Sequence, residues 1–275
     1  MNTELAGKVI VITGASGGIG SAIARGFAGE RAKLVLHYHH NQLGARKLQR
    51  ELTAVESVMA RADLTKESQA KNLFDRAVRR FGRVDTLVAN AGSWEPRDVP
   101  LHRVTLKQWR STLDSVLTSA FLCLREFFRL AARQKTGNAV LIGSTAAIFG
   151  EAGHADYAAA KAAMAFGLTR TLKNELSRLA PHTLDYCGGR INCVCPGWTF
   201  VPRNAAKLTN AKAIRKVTAT MALPQIARPD DIANAVVFLS SDTLARHITG
   251  QTLVVAGGME GRWLWRPEEI DPAAA

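Results

Sequence analysis

Long apolar runs are missing from this sequence. No segment approaches the ~18 unbroken apolar residues of a membrane span, so no membrane partner is expected. Met1-Asn2-Thr3-Glu4 carries neither a basic start nor a cleavable apolar core, so no secretory leader is expected and the cytoplasm is the default compartment. Low-complexity runs and Pro/Gly-rich linkers are lacking too. A single domain over 1–275 is expected, with a core at about 5–258 and a tail at 259–275. Cysteine is scarce. Cys123, Cys187, Cys193 and Cys195 form no C-x-x-C pairs, which argues against a metal site. They read as buried thiols in a reducing compartment, with Cys193 and Cys195 expected to face opposite ways in their strand. A concentrated basic run is also absent, although the net charge is +13. Arg76, Arg79, Arg80 and Arg83 form the densest group and suit a solvated helix face, so nucleic acid is not an expected partner.

What is present begins at Val9-Ile10-Val11-Ile12, four β-branched residues that suit a strand buried on both faces. The run breaks into Thr13-Gly14-Ala15-Ser16-Gly17-Gly18-Ile19-Gly20 and resumes with helical spacing. A strand turning through glycine into a helix presents backbone N–H groups and a positive dipole end to phosphate. The spacing Gly14-xxx-Gly18-x-Gly20 is neither G-x-G-x-x-G nor a nucleotide-triphosphate loop ending in Lys-Ser/Thr. Further strands are expected at 33–38, 57–61, 85–89, 138–143, 190–195 and 252–255. Helices are expected at 42–52, 66–81, 106–133, 156–178 and 229–240. Seven strands alternating with helices predict an α/β fold, a doubly wound Rossmann-type parallel sheet with helices on both faces and ligand at the carboxyl ends of the strands.

Tyr157 and Lys161 stand four apart, on one helix face. A neighbouring ammonium favours the phenolate and equips a tyrosine for acid/base work; the plain alternative is a surface pair. Ser144 lies 13 residues ahead of Tyr157, just past the fifth strand, at the ligand edge of such a sheet. Its hydroxyl suits a hydrogen bond to a substrate oxygen, or a cap on the local turn, and Thr145 is a neighbouring hydroxyl.

The glycine loop, Asn90-Ala91-Gly92, Ser144, Tyr157-xxx-Lys161 and Pro196-Gly197 together resemble the short-chain dehydrogenase/reductase family, with a 3-oxoacyl-acyl-carrier-protein reductase-like pattern over about residues 5–258. The resemblance implies an oxidoreductase that moves a hydride between NAD(P) and a carbonyl or alcohol carbon, usually as a homotetramer or homodimer. It implies Tyr157 as acid/base, Lys161 as its electrostatic partner and ribose ligand, and Ser144 as the group orienting the carbonyl. Gly14, Ser16, Gly18, Ile19 and Gly20 would surround the pyrophosphate and adjacent ribose, and Asp63 would contact adenine. Asn90 and Gly92 would line the groove, while Pro196, Gly197 and Thr199 would lie beside the carboxamide. Three departures stand out: Val116 where asparagine is usual, Val201 where threonine is usual, and an apparent insertion at 181–189.

Cofactor choice is expected at Tyr38 and His39, in His37-Tyr38-His39-His40-Asn41. A carboxylate there would accept from the ribose hydroxyls and repel a 2′-phosphate. None is present, which favours NADP(H) with NAD(H) as the alternative, although Gly17 stands where NADP-preferring relatives often carry Arg or Lys. Trp94, Phe149, His154, Trp198 and Met221 are candidate walls for a small-molecule carbonyl or alcohol substrate. A 3-oxoacyl thioester, a sugar, a steroid-like ring and a small diketone all remain open. The segment 200–223 resembles a substrate lid. Trp263 and Trp265 in the tail are expected to pack on a neighbouring subunit or on their own. A cofactor-binding protein with little catalysis is the alternative that Val116 motivates.

Overall fold

The computed structural model describes residues 2–202, 204–208 and 211–261. The tail tryptophans Trp263 and Trp265 therefore lie outside the described residues. Seven strands make one parallel sheet: β1 (Val9–Ile12), β2 (Lys33–Tyr38), β3 (Ser57–Arg61), β4 (Thr86–Ala89), β5 (Asn138–Ile142), β6 (Arg190–Pro196) and β7 (Thr252–Val255). Their order is β3-β2-β1-β4-β5-β6-β7. The chain winds outward from β1 to β3, returns to place β4 on the other side of β1, and continues outward. The expected α/β doubly wound sheet is thus the observed architecture.

Alternation along the strands builds two apolar layers. Val9 and Val11 face one layer, with Leu73, Phe74, Phe127 and Leu176, contributed by α3 (Glu67–Phe81), α5 (Ser119–Gln134) and α8 (Thr169–Leu179). Ile10 and Ile12 face the other, with Ile23, Phe27, Leu48 and Val236, contributed by α1 (Gly18–Gly29), α2 (Gln42–Glu51) and α10 (Pro229–Ser240). Each fully buried Ile, Leu or Phe contributes roughly 1.5–3 kcal/mol relative to exposure.

The same alternation corrects one expectation. Cys193 and Cys195 are two residues apart, so they share a face of β6; both lie in the first layer, with Sγ atoms 3.9 Å apart, while Val194 faces the second. All four cysteines are free thiols; Cys123, Cys193 and Cys195 are buried and Cys187 is half-buried.

The two long helices expected after β4 and β5 are each interrupted. α4 (Leu106–Leu113) passes through a π-helical turn, Asp114–Thr118, into α5. After the short α6 (Ala146–Phe149), α7 (Ala155–Ala162) passes through a second π turn, Ala163–Leu168, into α8. A π turn inserts one residue into the helical repeat and is frequent beside functional sites. α9 (Ala211–Thr218) lies in the segment expected to form a lid. The stretch 181–189, expected as an insertion, is a loop whose Tyr186 hydroxyl accepts from the Gly137 N–H at 2.9 Å.

Candidate active site

The glycine turn after β1 is clamped from both sides. Gly14 has φ +65°, a backbone region that L side chains rarely adopt. On one side Thr13 Oγ1 accepts from the N–H groups of Asn90 and Ala91, each at 2.9 Å. Asn90 Nδ2 returns bonds to the carbonyls of Thr13 at 2.9 Å and Gly14 at 3.2 Å. On the other side the Gly14 N–H donates to His37 Nδ1 at 2.9 Å. A Cβ on Gly20 would collide with the Gly14 carbonyl oxygen, so glycine lets α1 start against the turn. Gly17, at the N-cap, caps the helix with no side chain, and the first turn carries no acid. Ser16 and Ile19 lie on this same turn and helix start. A glycine cradle leading into an N-terminus without acid or side-chain cap suits a pyrophosphate, so the residues present fit a dinucleotide.

His37 is the residue that sequence reasoning missed. It is buried; Nδ1 accepts from Gly14, so Nε2 carries the proton and donates to the Ala62 carbonyl at 3.0 Å. One ring therefore ties the glycine turn to the end of β3. Burial pushes its pKa down to about 4, holding it neutral. The only signal in the sequence was a polar residue inside an apolar strand.

Beyond His37 the chain turns outward. Tyr38 is buried, whereas His39 and His40 are exposed, their ring centroids 3.6 Å apart. Asn41 caps α2 by accepting from the Gly44 N–H and donates through Nδ2 to the Ser16 carbonyl at 3.1 Å. The histidine bend is thereby fixed beside the glycine turn. Asp63, at the end of β3, accepts from the Thr65 N–H at 3.0 Å and its hydroxyl at 2.7 Å. These bonds lower its pKa against the opposing effect of desolvation, and it faces His39.

Tyr157 and Lys161 come together at the carboxyl end of β5, where the chain runs on to Ser144. Lys161 is buried and donates from Nζ to the Ile142 carbonyl at 2.6 Å, two residues before Ser144. Burial pushes its pKa down to about 8. Its Nζ lies 5.7 Å from the centroid of the Tyr157 ring. Tyr157 is buried, and Trp94 stacks on it with centroids 4.5 Å apart and planes at 28°. Ser144 Oγ accepts from the Ala146 N–H at 3.1 Å, so the turn-capping role is made in this state. Cys193 and Cys195 pack beneath, against Gly143. Val116, fully buried in the first π turn, lies under Gly92: a Cβ on Gly92 would stand 3.2 Å from Val116 Cγ2.

The stretch after β6 closes the site. Thr145 N–H donates to the Pro196 carbonyl at 2.9 Å. A Cβ on Gly197 would meet Ala256 at 2.7 Å, so glycine permits close passage beside β7. Thr199 is buried and its hydroxyl bonds to the Gly197 carbonyl at 3.1 Å. Val201 lies over the glycine turn, with Cγ1 2.6 Å from where a Gly18 Cβ would stand. The expected walls divide into two groups. Trp94 touches Tyr157, and buried His154 pairs with Asp98 at 3.1 Å on the loop that carries Trp94. Phe149 and Trp198 instead pack on a separate cluster of Met221, Ala256 and Met259. A surface cavity of 660 Å³, lined by Ile148, Phe166, Arg170, Lys173 and Gln251, lies at the β7 edge rather than at Tyr157.

A family model described as enoyl-(acyl carrier protein) reductase matches residues 14–260. A 3-oxoacyl-[acyl-carrier-protein] reductase from Synechocystis sp. is 34% identical over 259 residues, covering 94% of this chain and 98% of the relative. A 3beta-hydroxysteroid dehydrogenase 1 from Eggerthella lenta is 34% identical, covering 94% and 96%. A cis-4-hydroxycyclohexanecarboxylate dehydrogenase from Sinomonas cyclohexanicum is 34% identical, covering 94% and 98%. The crystal structure of gox2181 matches with a TM-score of 0.84 at 27% identity, over 94% of this chain and 97% of that one. With relatives of this identity along nearly its whole length, the chain belongs to the short-chain dehydrogenase/reductase family of oxidoreductases.

Proposed function

We propose that the protein is an NADP(H)-dependent oxidoreductase that interconverts a ketone and a secondary alcohol, with Tyr157 as the acid/base. The observation that carries this reading is the buried Lys161 beside the Tyr157 ring, bonded to the Ile142 carbonyl at the end of β5, two residues before Ser144. A bound nicotinamide supplies or accepts the hydride. In the reducing direction Ser144 exchanges its bond to Ala146 for one to the substrate carbonyl oxygen and fixes its direction. Tyr157 delivers its proton to that oxygen as negative charge develops, and Lys161 stabilises the phenolate left behind. An ammonium with a pKa of about 8 is still largely charged at neutral pH. Trp94, stacked on the ring, holds the phenol in place and shields it from water. Asn90 and His37 hold the turn that, with Gly14, Ser16, Gly18, Ile19 and Gly20, receives the pyrophosphate. Gly92, Pro196, Gly197 and Thr199 line the nicotinamide half of the groove, and Tyr38, His39 and Asp63 its adenosine half.

The absence of a carboxylate in Tyr38-His39-His40 supports NADP(H) over NAD(H). Trp94 against the phenol supports a hydrophobic carbonyl substrate, including a 3-oxoacyl thioester, with Phe149, His154 and Trp198 as its further candidate walls. The experiment is a panel of 3-oxoacyl, cyclic and steroidal ketones read by cofactor absorbance. NADPH oxidation with at least one hydrophobic ketone, faster than with NADH, is expected. Cofactor binding without turnover on any carbonyl would favour the reading that Val116 motivates, a cofactor-binding protein with little catalysis.

A homotetramer or homodimer in the cytoplasm completes the proposal. Exposed Leu253 and Val254 on the edge strand β7, and exposed Phe121 on α5, are apolar surfaces that a second copy would cover. Light scattering is expected to give two or four times the 29.7 kDa chain mass; a single chain mass would refute assembly.

A further inference from the structure

The bend after β2 carries two imidazoles where a cofactor phosphate would be selected. Tyr38 is twenty residues beyond Gly18, the interval at which a dinucleotide fold meets the adenosine ribose. His39 and His40 follow it, exposed, their rings tilted by 33° with centroids 3.6 Å apart. Asn41 ties this bend to the Ser16 carbonyl at 3.1 Å, so the pair cannot swing away from the glycine turn without breaking that bond. The charged and titratable groups that face His39 are His40 on the same bend, Arg61 at the end of β3 and Asp63 just after it.

We propose that His39 and His40 form a proton-operated selector for the cofactor's 2′-phosphate, binding it strongly when protonated and weakly when neutral. The inference rests on the NADP(H) reading above and deepens it. Two like-charged rings in contact repel. Desolvation first, then His40 and Arg61, lower the pKa of His39, while Asp63 raises it. A phosphate dianion accepting from the ring nitrogens reverses that balance and draws protons onto them. Selectivity for NADP(H) therefore falls as pH rises through the imidazole range, whereas NAD(H), which lacks the 2′-phosphate, is held with little pH dependence. A site built from permanent cations behaves oppositely: the phosphate gains its second charge near pH 6, so binding there holds or strengthens as pH rises.

The test is equilibrium titration of the whole protein with NADPH and with NADH, by cofactor fluorescence, between about pH 6 and about pH 8.5. The NADPH Kd is expected to rise roughly tenfold across that range, while the NADH Kd changes by less than about twofold. His39→Arg should flatten the NADPH profile. The double variant His39→Ala/His40→Ala should weaken NADPH relative to NADH at the acid end and flatten the pH profile of that ratio. A flat wild-type NADPH profile, or a slope that survives in the double variant, overturns the inference while leaving the NADP(H) reading standing. NADH binding more tightly than NADPH at every pH overturns both.

Discussion

Tyr157→Phe is expected to lower kcat by about 10³- to 10⁴-fold at neutral pH while leaving the cofactor Kd within about twofold, because only the proton-transferring hydroxyl is lost. The substitution suits this site. The ring keeps its stacking on Trp94 and its place in the first apolar layer, so the fold loses one hydroxyl and no volume. Hydride transfer without a matched proton would leave an alkoxide beside a buried lysine, and Ser144 alone cannot discharge it. The measurement is steady-state turnover on the best ketone of the panel, paired with a cofactor titration. Turnover equal to wild type would remove Tyr157 from the chemistry.

Acid should destabilise the protein through His37, by about 3 kcal/mol on full protonation. The figure follows from a pKa of 6.5 in the unfolded chain and about 4 in the fold. A depressed folded pKa means that the unfolded chain binds the extra proton first. Stability from this group is complete above about pH 6.5, declines as pH falls, and is exhausted below about pH 4. Protonation puts a second N–H on the ring, facing the Gly14 N–H in place of the acceptor it needs. The glycine turn should loosen along with the fold. Urea unfolding at pH 7.5 and at pH 4.5 measures the effect, with His37→Asn as the control. The variant should start less stable and lose less on acidification. Parallel pH curves would show that His37 is not the group responsible.

Much of this architecture was legible in the residues. Strands at Lys33–Tyr38, Ser57–Arg61 and Thr252–Val255 have the bounds that their apolar patterning predicts. α3 ends at Phe81, where its helical pattern was expected to end, and Gly82 follows in a left-handed conformation at φ +80°. The π turns were not legible, because one extra residue per turn leaves the apolar periodicity almost intact; 106–133 and 156–178 each read as one helix. The turn at Val116 is nevertheless at the position the sequence marked as unusual. The pairing of Tyr157 with Lys161 was anticipated from spacing. The stacking of Trp94 on Tyr157 was not, since loop residues converge through tertiary placement rather than periodicity. His37 was passed over for its exposed neighbours: a polar side chain within a strand signals a buried bond, but the partner, Gly14, is supplied by the adjacent strand's turn.

The reversal of winding between β1 and β4 has a consequence for how this chain can be altered. The bend proposed to choose among cofactors belongs to the β1–β3 wing, whereas the loops proposed to choose among substrates follow β4, β5 and β6 in the other wing. The two choices are assigned to separate parts of the chain, and the wings join along the β1–β4 ladder and at the clasp of Thr13 and Asn90. Grafting a different bend onto β2 should thus redirect the electron donor without rewriting the substrate preference, and loop exchange in the opposite wing should do the reverse.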